Sequence, residues 1–251
     1  MGLTTDDRTR YARQMLIKGW GEETQQRLAN STVFILGAGG LGSPAALYLA
    51  AAGVGRIVIA DLDRIELSNL NRQILHTTAG LGTPKAASAA TALSALNPGV
   101  RVVALAEEVT DANIDKLSDG AGVLLDCLDN FPTRYVLNRC AIRTKRPLIH
   151  AAVTGFEGRL TVIDPGVTPC LRCLFPEGPQ PGVFPVVGTT PGVIGVLQAA
   201  EALKLLTGLG EPLRGQLLVY DGAAASFHQV TLAFDPACPD CGLPIATNPL
   251  Q

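Results

Sequence analysis

The residues best equipped for chemistry fall into a few short stretches. In "VFILGAGGLGSPAALYLAAAGVGRIVIADLD" an apolar run leads into Gly37, Gly39, Gly40 and Gly42. Gly37-x-Gly39-x-x-Gly42 follows a strand-like run and opens a helix-like one. Such glycines permit a tight turn and let a ligand approach the backbone closely. Asp61, 24 residues after Gly37, is placed to bind a ribose hydroxyl, with Asp63 beside it. On this stretch alone NAD fits best, and a tight turn that binds nothing is the plainer alternative. It is not a P-loop, because no Gly-Lys-Ser/Thr follows.

The next stretch, "DLDRIELSNLNRQILHTTAGLGTPKAASAA", changes the balance. It carries Ser68, Asn69, Asn71, Arg72, Gln73 and Lys85. Arg grips phosphate oxygens bidentately, and Lys acts as a point charge. A dinucleotide pyrophosphate is handled by a helix N-terminus and needs few cations; a triphosphate under attack needs several. A solvated face carrying two charges would explain a lone Arg and Lys, but here they sit among amides just after the ribose acid. In "LLDCLDNFPTRY", Asp126 and Asp129 follow a buried run at its C-terminal end, where open α/β sheets bind ligands. Asp129 and Asn130 offer oxygen to Mg²⁺ beside phosphates, while either would also cap the helix that starts at Phe131.

Six cysteines are present, four of them as "CLRC" (Cys170, Cys173) and "CPDC" (Cys238, Cys241). Two such pairs supply the four thiolates of a closed tetrahedral zinc site, which is structural because no coordination position stays open. Redox dithiols or four core cysteines are the alternatives. Cys127 and Cys140 fit the core better than the role of nucleophile. The histidines, His76, His150 and His228, show no partner pattern and read as structural, His76 the least securely.

Positioning these residues requires alternating strands and helices. The first 30 or so residues read as helical. Strands are expected at Ser31 to Leu36, Arg56 to Ala60, "RVVAL", "GVLLD" and "PLIHAAV". Helices are expected at Leu41 to Ala52, Pro84 to Leu96 (with Pro84 in the first turn), Asp111 to Leu117 and Phe131 to Arg143. This alternation predicts a Rossmann-like α/β fold with a mostly parallel sheet. After Val153 the pattern changes: "EGRLTVID" reads as a strand, "GQLLVYDG" and "SFHQVTLAF" as two antiparallel strands that continue the sheet, with a helix from Pro191 to Leu206. One continuous domain spans 1–251: helices over 1–30, a nucleotide-binding part over 31–153, and a zinc part over 154–251, to which the resemblance given below adds carrier binding.

A length of 251 residues, 47% of them hydrophobic, affords a full core. A net charge of −2 gives no bulk attraction for nucleic acid or an acidic membrane. The polar N-terminus "MGLTTDDRTRYARQ" has no apolar core of a signal peptide, so a cytoplasmic location is expected.

Taken in order, "RYARQ", "GAGGLGSPAALYLAAAGVG", "DLDRIELSNLNRQ", "GTPKAASA", "DCLDN", "GFEGRLTV", "CLRCLFP" and "CPDC" resemble the MoeB/ThiF/HesA family of ubiquitin-activating-like adenylyltransferases, from about Arg10 to Cys241. The resemblance implies ATP-dependent adenylation of the C-terminal glycine of a small ubiquitin-like sulfur carrier ending in Gly-Gly. It implies that Gly40 lies under the phosphates and that Asp61 binds ribose. Asn69, Arg72 and Lys85 would contact phosphates, and Asp129 would hold Mg²⁺. Arg13 would reach the ATP of the other subunit of a homodimer, and the four paired cysteines would hold zinc. The full candidate set also includes Gly37, Gly39, Gly42, Asp63, Ser68, Gln73 and Asn130. One departure stands out: the loop "FPEGPQPGVFPVVGTTPGVIGVLQ" has no cysteine and is shortened, where many members carry a thioester or persulfide cysteine. No rhodanese-like extension follows Cys241. Adenylation is therefore expected without a covalent cysteine step. An NAD-dependent oxidoreductase and a nucleotide-binding scaffold that has lost its chemistry are the alternatives.

Overall fold

A computed structural model describes residues 2–179, 182 and 184–242. The expectations for the cysteine-free loop fall in part on residues 180, 181 and 183, and those for the chain end on 243–251, all outside the described residues.

The chain opens with three helices, α1 (Thr5–Arg10), α2 (Ala12–Met15) and α3 (Gly21–Ala29). Thr4 and Asp7 form a reciprocal capping box on α1. The bend between α1 and α2 falls at Tyr11, whose buried hydroxyl accepts from Asn97 Nδ2 at 2.8 Å. This tertiary anchor overrides the local preference for a continuous helix.

The sheet is built from β1 (Thr32–Leu36), β2 (Arg56–Ala60), β3 (Arg101–Leu105), β4 (Val123–Asp126), β5 (Leu148–Thr154), β6 (Glu157–Ile163), β7 (Gln216–Asp221) and β8 (Ser226–Thr231). Its order is β3-β2-β1-β4-β5-β6-β7-β8. The first five strands pair in parallel and β6 to β8 continue the sheet antiparallel, as the change of pattern after Val153 predicts. From β1 the chain leaves to β2 on one side and returns at β4 on the other. That reversal opens a crevice at the strand C-termini, the usual ligand position in such sheets.

Helices α4 (Gly42–Ala52), α5 (Lys85–Leu96), α6 (Ile114–Leu117), α7 (Phe131–Thr144), α8 (Leu171–Leu174) and α9 (Thr189–Thr207) complete the structure. Two apolar clusters flank the sheet. Val33, Ile35 and Ile57 pack against α4 and α9 on one face. Phe34, Leu124 and Leu148 pack with Ile114 and Leu137 on the other. Strands such as β1 are buried on both faces, which is why they read as unbroken apolar runs. Each fully buried side chain of this size contributes about 1.5–3 kcal/mol.

Two local expectations are corrected. Pro84 is the N-cap of α5, not a first-turn residue. The helix expected from Asp111 begins only at Ile114: the Asn113 side chain accepts from Thr110 N and donates to Glu108 O, both at 2.8 Å, and such bonds compete with helix formation. Helix α8 was not foreseen. Among the described residues, no helix is long and apolar enough to cross a membrane.

Candidate functional site

The glycine loop joins β1 to α4. Gly37 has φ +102°, and a Cβ there would stand 2.5 Å from Cys127 O. A Cβ on Gly42 would stand 1.9 Å from Gly37 O. The turn thus closes on itself and on the first residue after β4. The loop is latched by Asp61, whose carboxylate accepts from Ala38 N at 2.7 Å and Asp63 N at 2.8 Å. Burial pushes the Asp61 carboxyl up, and these two amides pull it back. A carboxylate has about four acceptor positions, so a ribose hydroxyl still finds room. His76 props the loop from below: its Nε2 lies 2.9 Å from Ala38 O and its Nδ1 lies 3.1 Å from Ser88 Oγ. The Ala38 carbonyl can only accept, so Nε2 carries the proton. Burial keeps this imidazole below its usual pKa.

The segment after β2 folds back over the loop. A Cβ on Gly40 would meet Arg72 Cγ at 3.5 Å and Pro191, near the start of α9, at 3.2 Å. A Cβ on Gly39 would meet the Gln73 amide nitrogen at 3.5 Å. Arg72 donates to Ser68 O and Asn71 Oδ1, both at 2.9 Å. Asn69 is buried, and its side chain accepts from Glu66 N at 3.0 Å. Gln73 is 4% exposed, and its Oε1 has no hydrogen-bond partner. A bare loop edged by Arg72 and an unsatisfied amide oxygen suits a polar, anionic ligand. Lys85 is nearly buried at the first turn of α5, with Nζ 2.8 Å from Asp63 Oδ2.

The loop after β4 separates its two acids. Asp129 is exposed, whereas Asp126 is 0% exposed. Asn130 takes the cap: its side chain accepts from Thr133 N at 3.0 Å, which commits Oδ1 to α7. Asp126 is not open to a ligand. Its Oδ2 lies 2.6 Å from His150 Nδ1, and its Oδ1 accepts from Leu128 N at 3.1 Å and sits 3.5 Å from Arg134 Nε. Gln198, on α9, donates to Asp126 O at 2.8 Å. His150 thus has a partner that the sequence pattern did not reveal, and Arg134 and Gln198 were missed as supports. The available signal was strand adjacency, because Asp126 and His150 are register partners on β4 and β5.

The four paired cysteines converge. Cys170 Sγ lies 3.5 Å from Cys238 Sγ, Cys173 Sγ lies 3.4 Å from Cys241 Sγ, and all four sulfurs fall within 4.8 Å of one another. Tetrahedral zinc at about 2.3 Å from each thiolate fits this spacing. Asn138, fully buried on α7, ties the two hairpins together by accepting from Leu171 N at 2.9 Å and donating to Asp240 Oδ2 at 2.8 Å. Cys127 and Cys140 are buried, and burial pushes both thiols up.

Arg13 is not brought to this group within the chain. Its neighbour Gln14 donates to Ala52 O at 2.8 Å, at the C-terminal end of α4. That is about 15 Å from Gly42 by helical rise.

Known proteins are similar to most of this chain. A sulfur carrier protein adenylyltransferase of Thermus thermophilus is 45% identical over 96% of this chain and 93% of its own length. The SAMP-activating enzyme E1 of Haloferax volcanii is 45% identical over 96% and 92%. Among solved structures, E. coli MccB with ATP superposes with a TM-score of 0.81 at 25% identity, covering 93% of this chain and 74% of that one. The ThiF family profile matches residues 11–240, the span that holds the glycine loop, the basic segment, the acid loop and the start of the second cysteine pair: the chain belongs to the ThiF family.

Proposed function

We propose that the chain is an ATP-dependent adenylyltransferase acting on the C-terminal glycine carboxylate of a small ubiquitin-like carrier protein ending in Gly-Gly. The names of its relatives support the reaction class. The observation that carries the proposal is the packing of the Arg72 side-chain stem against Gly40, which brings a cationic residue to the edge of a loop built for close ligand approach.

The ribose meets Asp61, and Gly39 and Gly40 leave space for the phosphates. Asn69, Arg72, Gln73 and Lys85 surround the phosphate region. Asp129, exposed two residues past Cys127, holds Mg²⁺, which would neutralise phosphate charge when bound. A carrier carboxylate oxygen attacks the α-phosphorus, the bond to the bridging oxygen breaks, and pyrophosphate leaves with the electron pair. No general base is needed, because a C-terminal carboxyl (pKa about 3.5) is already ionised at neutral pH. Cancelling charge between two anions is the main task, and fixed cations do that best.

No thioester on the chain's own cysteine is part of this proposal. Four cysteines are gathered in one cluster. The other two are buried with raised thiol pKa values, and a protonated thiol is a poor nucleophile. Carrier-dependent ATP–pyrophosphate exchange tests the proposal. Exchange is expected to survive alkylation of the cysteines outside the cluster. It is expected to fall about a hundredfold or more in Asp129→Ala. Failure to see exchange with any glycine-tailed carrier would sink it.

A further inference from the structure

Asp126 is fully buried, but the loop it anchors carries the exposed Asp129, to which Mg²⁺ binding is assigned above. The Leu128 N–H is held by Asp126 Oδ1 at 3.1 Å, and the Leu128 carbonyl is held by the Arg134 guanidinium, which also donates to Ala151 O at 3.1 Å. Both polar groups of Leu128 are therefore tied down one residue before Asp129. Arg134 is fixed in turn over the Phe131 ring, 5.1 Å from its centroid.

The clamp depends on the direction of the Asp126 carboxylate. Rotation about its last side-chain torsion would release the Leu128 amide. His150 opposes that rotation by holding the other oxygen at 2.6 Å. The carboxylate only accepts, so the imidazole Nδ1–H donates to it. His150 is 0% exposed, and its Nε2 has no hydrogen-bond partner. The ring's polar capacity is thus directed at Asp126 alone.

We propose that His150 is a positioning residue for the nucleotide site, fixing through Asp126 and Leu128 where Asp129 presents its carboxylate. The functional half of this inference rests on the role given to Asp129 above; the structural half does not.

Two variants of the full-length protein separate a hydrogen-bonding role from simple packing. His150→Leu keeps most of the volume and loses the donor. His150→Asn loses volume but can place an amide N–H where Nδ1 stood. In His150→Leu, exchange kcat is expected to fall about tenfold and the Mg²⁺ concentration for half-maximal rate to rise, with the KM for carrier unchanged. His150→Asn is expected to stay within about threefold of the parent kcat. Amide hydrogen exchange supplies a readout independent of catalysis: Leu128 N–H is expected to lose protection in His150→Leu and keep it in His150→Asn. An active Leu variant with an impaired Asn variant is the order packing alone would give, and it overturns the inference. So do two variants with equal rates, or unchanged Leu128 protection in His150→Leu. If the parent shows no exchange reaction, or if Asp129→Ala retains it, the adenylation reading fails instead, and Leu128 protection alone then decides whether His150 holds the loop.

Discussion

Lys85 shows how the site treats a single charge. Its side chain is 7% exposed, while that of its partner Asp63 is 69% exposed. An ammonium drawn out of water and paired with one solvated acid is held for a second anion more than for stability, because a pair with one exposed member contributes little. Lys85→Met is expected to lower kcat/KM for ATP by about a hundredfold, with thermal stability almost unchanged; steady-state exchange and a melting curve check both. The position of such residues can be read from the sequence because Gly37 and Lys85 lie in successive β-α-β units, where chain order maps onto position. Asp126, His150 and Arg134 were not legible in this way. Their meeting depends on β4 lying beside β5. The sequence offers Asp129 and Asn130 to Mg²⁺ and gives Asp126 no partner; in the structure Asp126 is buried and Asp129 exposed. Asn130 stood open between cap and ligand, and its bond to Thr133 N decides for the cap.

At the scale of elements, α7 connects the most parts. Its N-cap is Asn130, its middle carries Asn138 beneath the cysteine cluster, and its far end pairs with α6 and the turn before it. Asn130→Ala removes a cap worth about 1 kcal/mol, so the melting temperature is expected to fall by about 2–4 °C, with the melting of Asp129→Ala as a control. Along the outer face, Arg139 holds the Asp111 carboxylate and Arg143 the Asp115 carboxylate. These hydrogen bonds hold both carboxyls below the usual aspartate range. A folded-state pKa below the unfolded one means stability present above pH about 4 and lost as the pH falls through the folded value. The double variant Asp111→Asn, Asp115→Asn is therefore expected to lose less stability between pH about 4 and 2. The difference should shrink in high salt, since both pairs are partly exposed. The sequence predicted β2 and β3 to the residue, because each apolar run opens on an arginine, Arg56 or Arg101, and stops close to acidic residues. Where the N-terminal helices break was not readable, because the bend at Tyr11 is held from outside by Asn97, at the end of α5.

At the scale of the whole molecule, two features reach beyond any one element. The first is the cysteine cluster, which joins hairpins separated by 64 residues. Its pairing was legible because Cys-x-x-Cys spacing is set by metal geometry and not by the fold. One zinc per chain is expected, and its removal by a chelator should lower the melting temperature. The second feature is Arg13. The resemblance assigns it to the nucleotide of the other subunit; it is exposed and sits near the wrong end of α4 in its own chain. A two-fold dimer would resolve the conflict, because an isologous interface lends the same residue to both sites. The consequence can be counted. Arg13→Ala and Asp129→Ala are each expected to be inactive alone. In a mixture reassociated at equal concentrations, half of the dimers are mixed. Each mixed dimer has one site with both residues intact, Asp129 from its own chain and Arg13 from the partner. Activity should recover to about a quarter of the parent value. If Arg13 served its own chain's site, every site in the mixture would lack one of the two residues, and mixing would restore nothing.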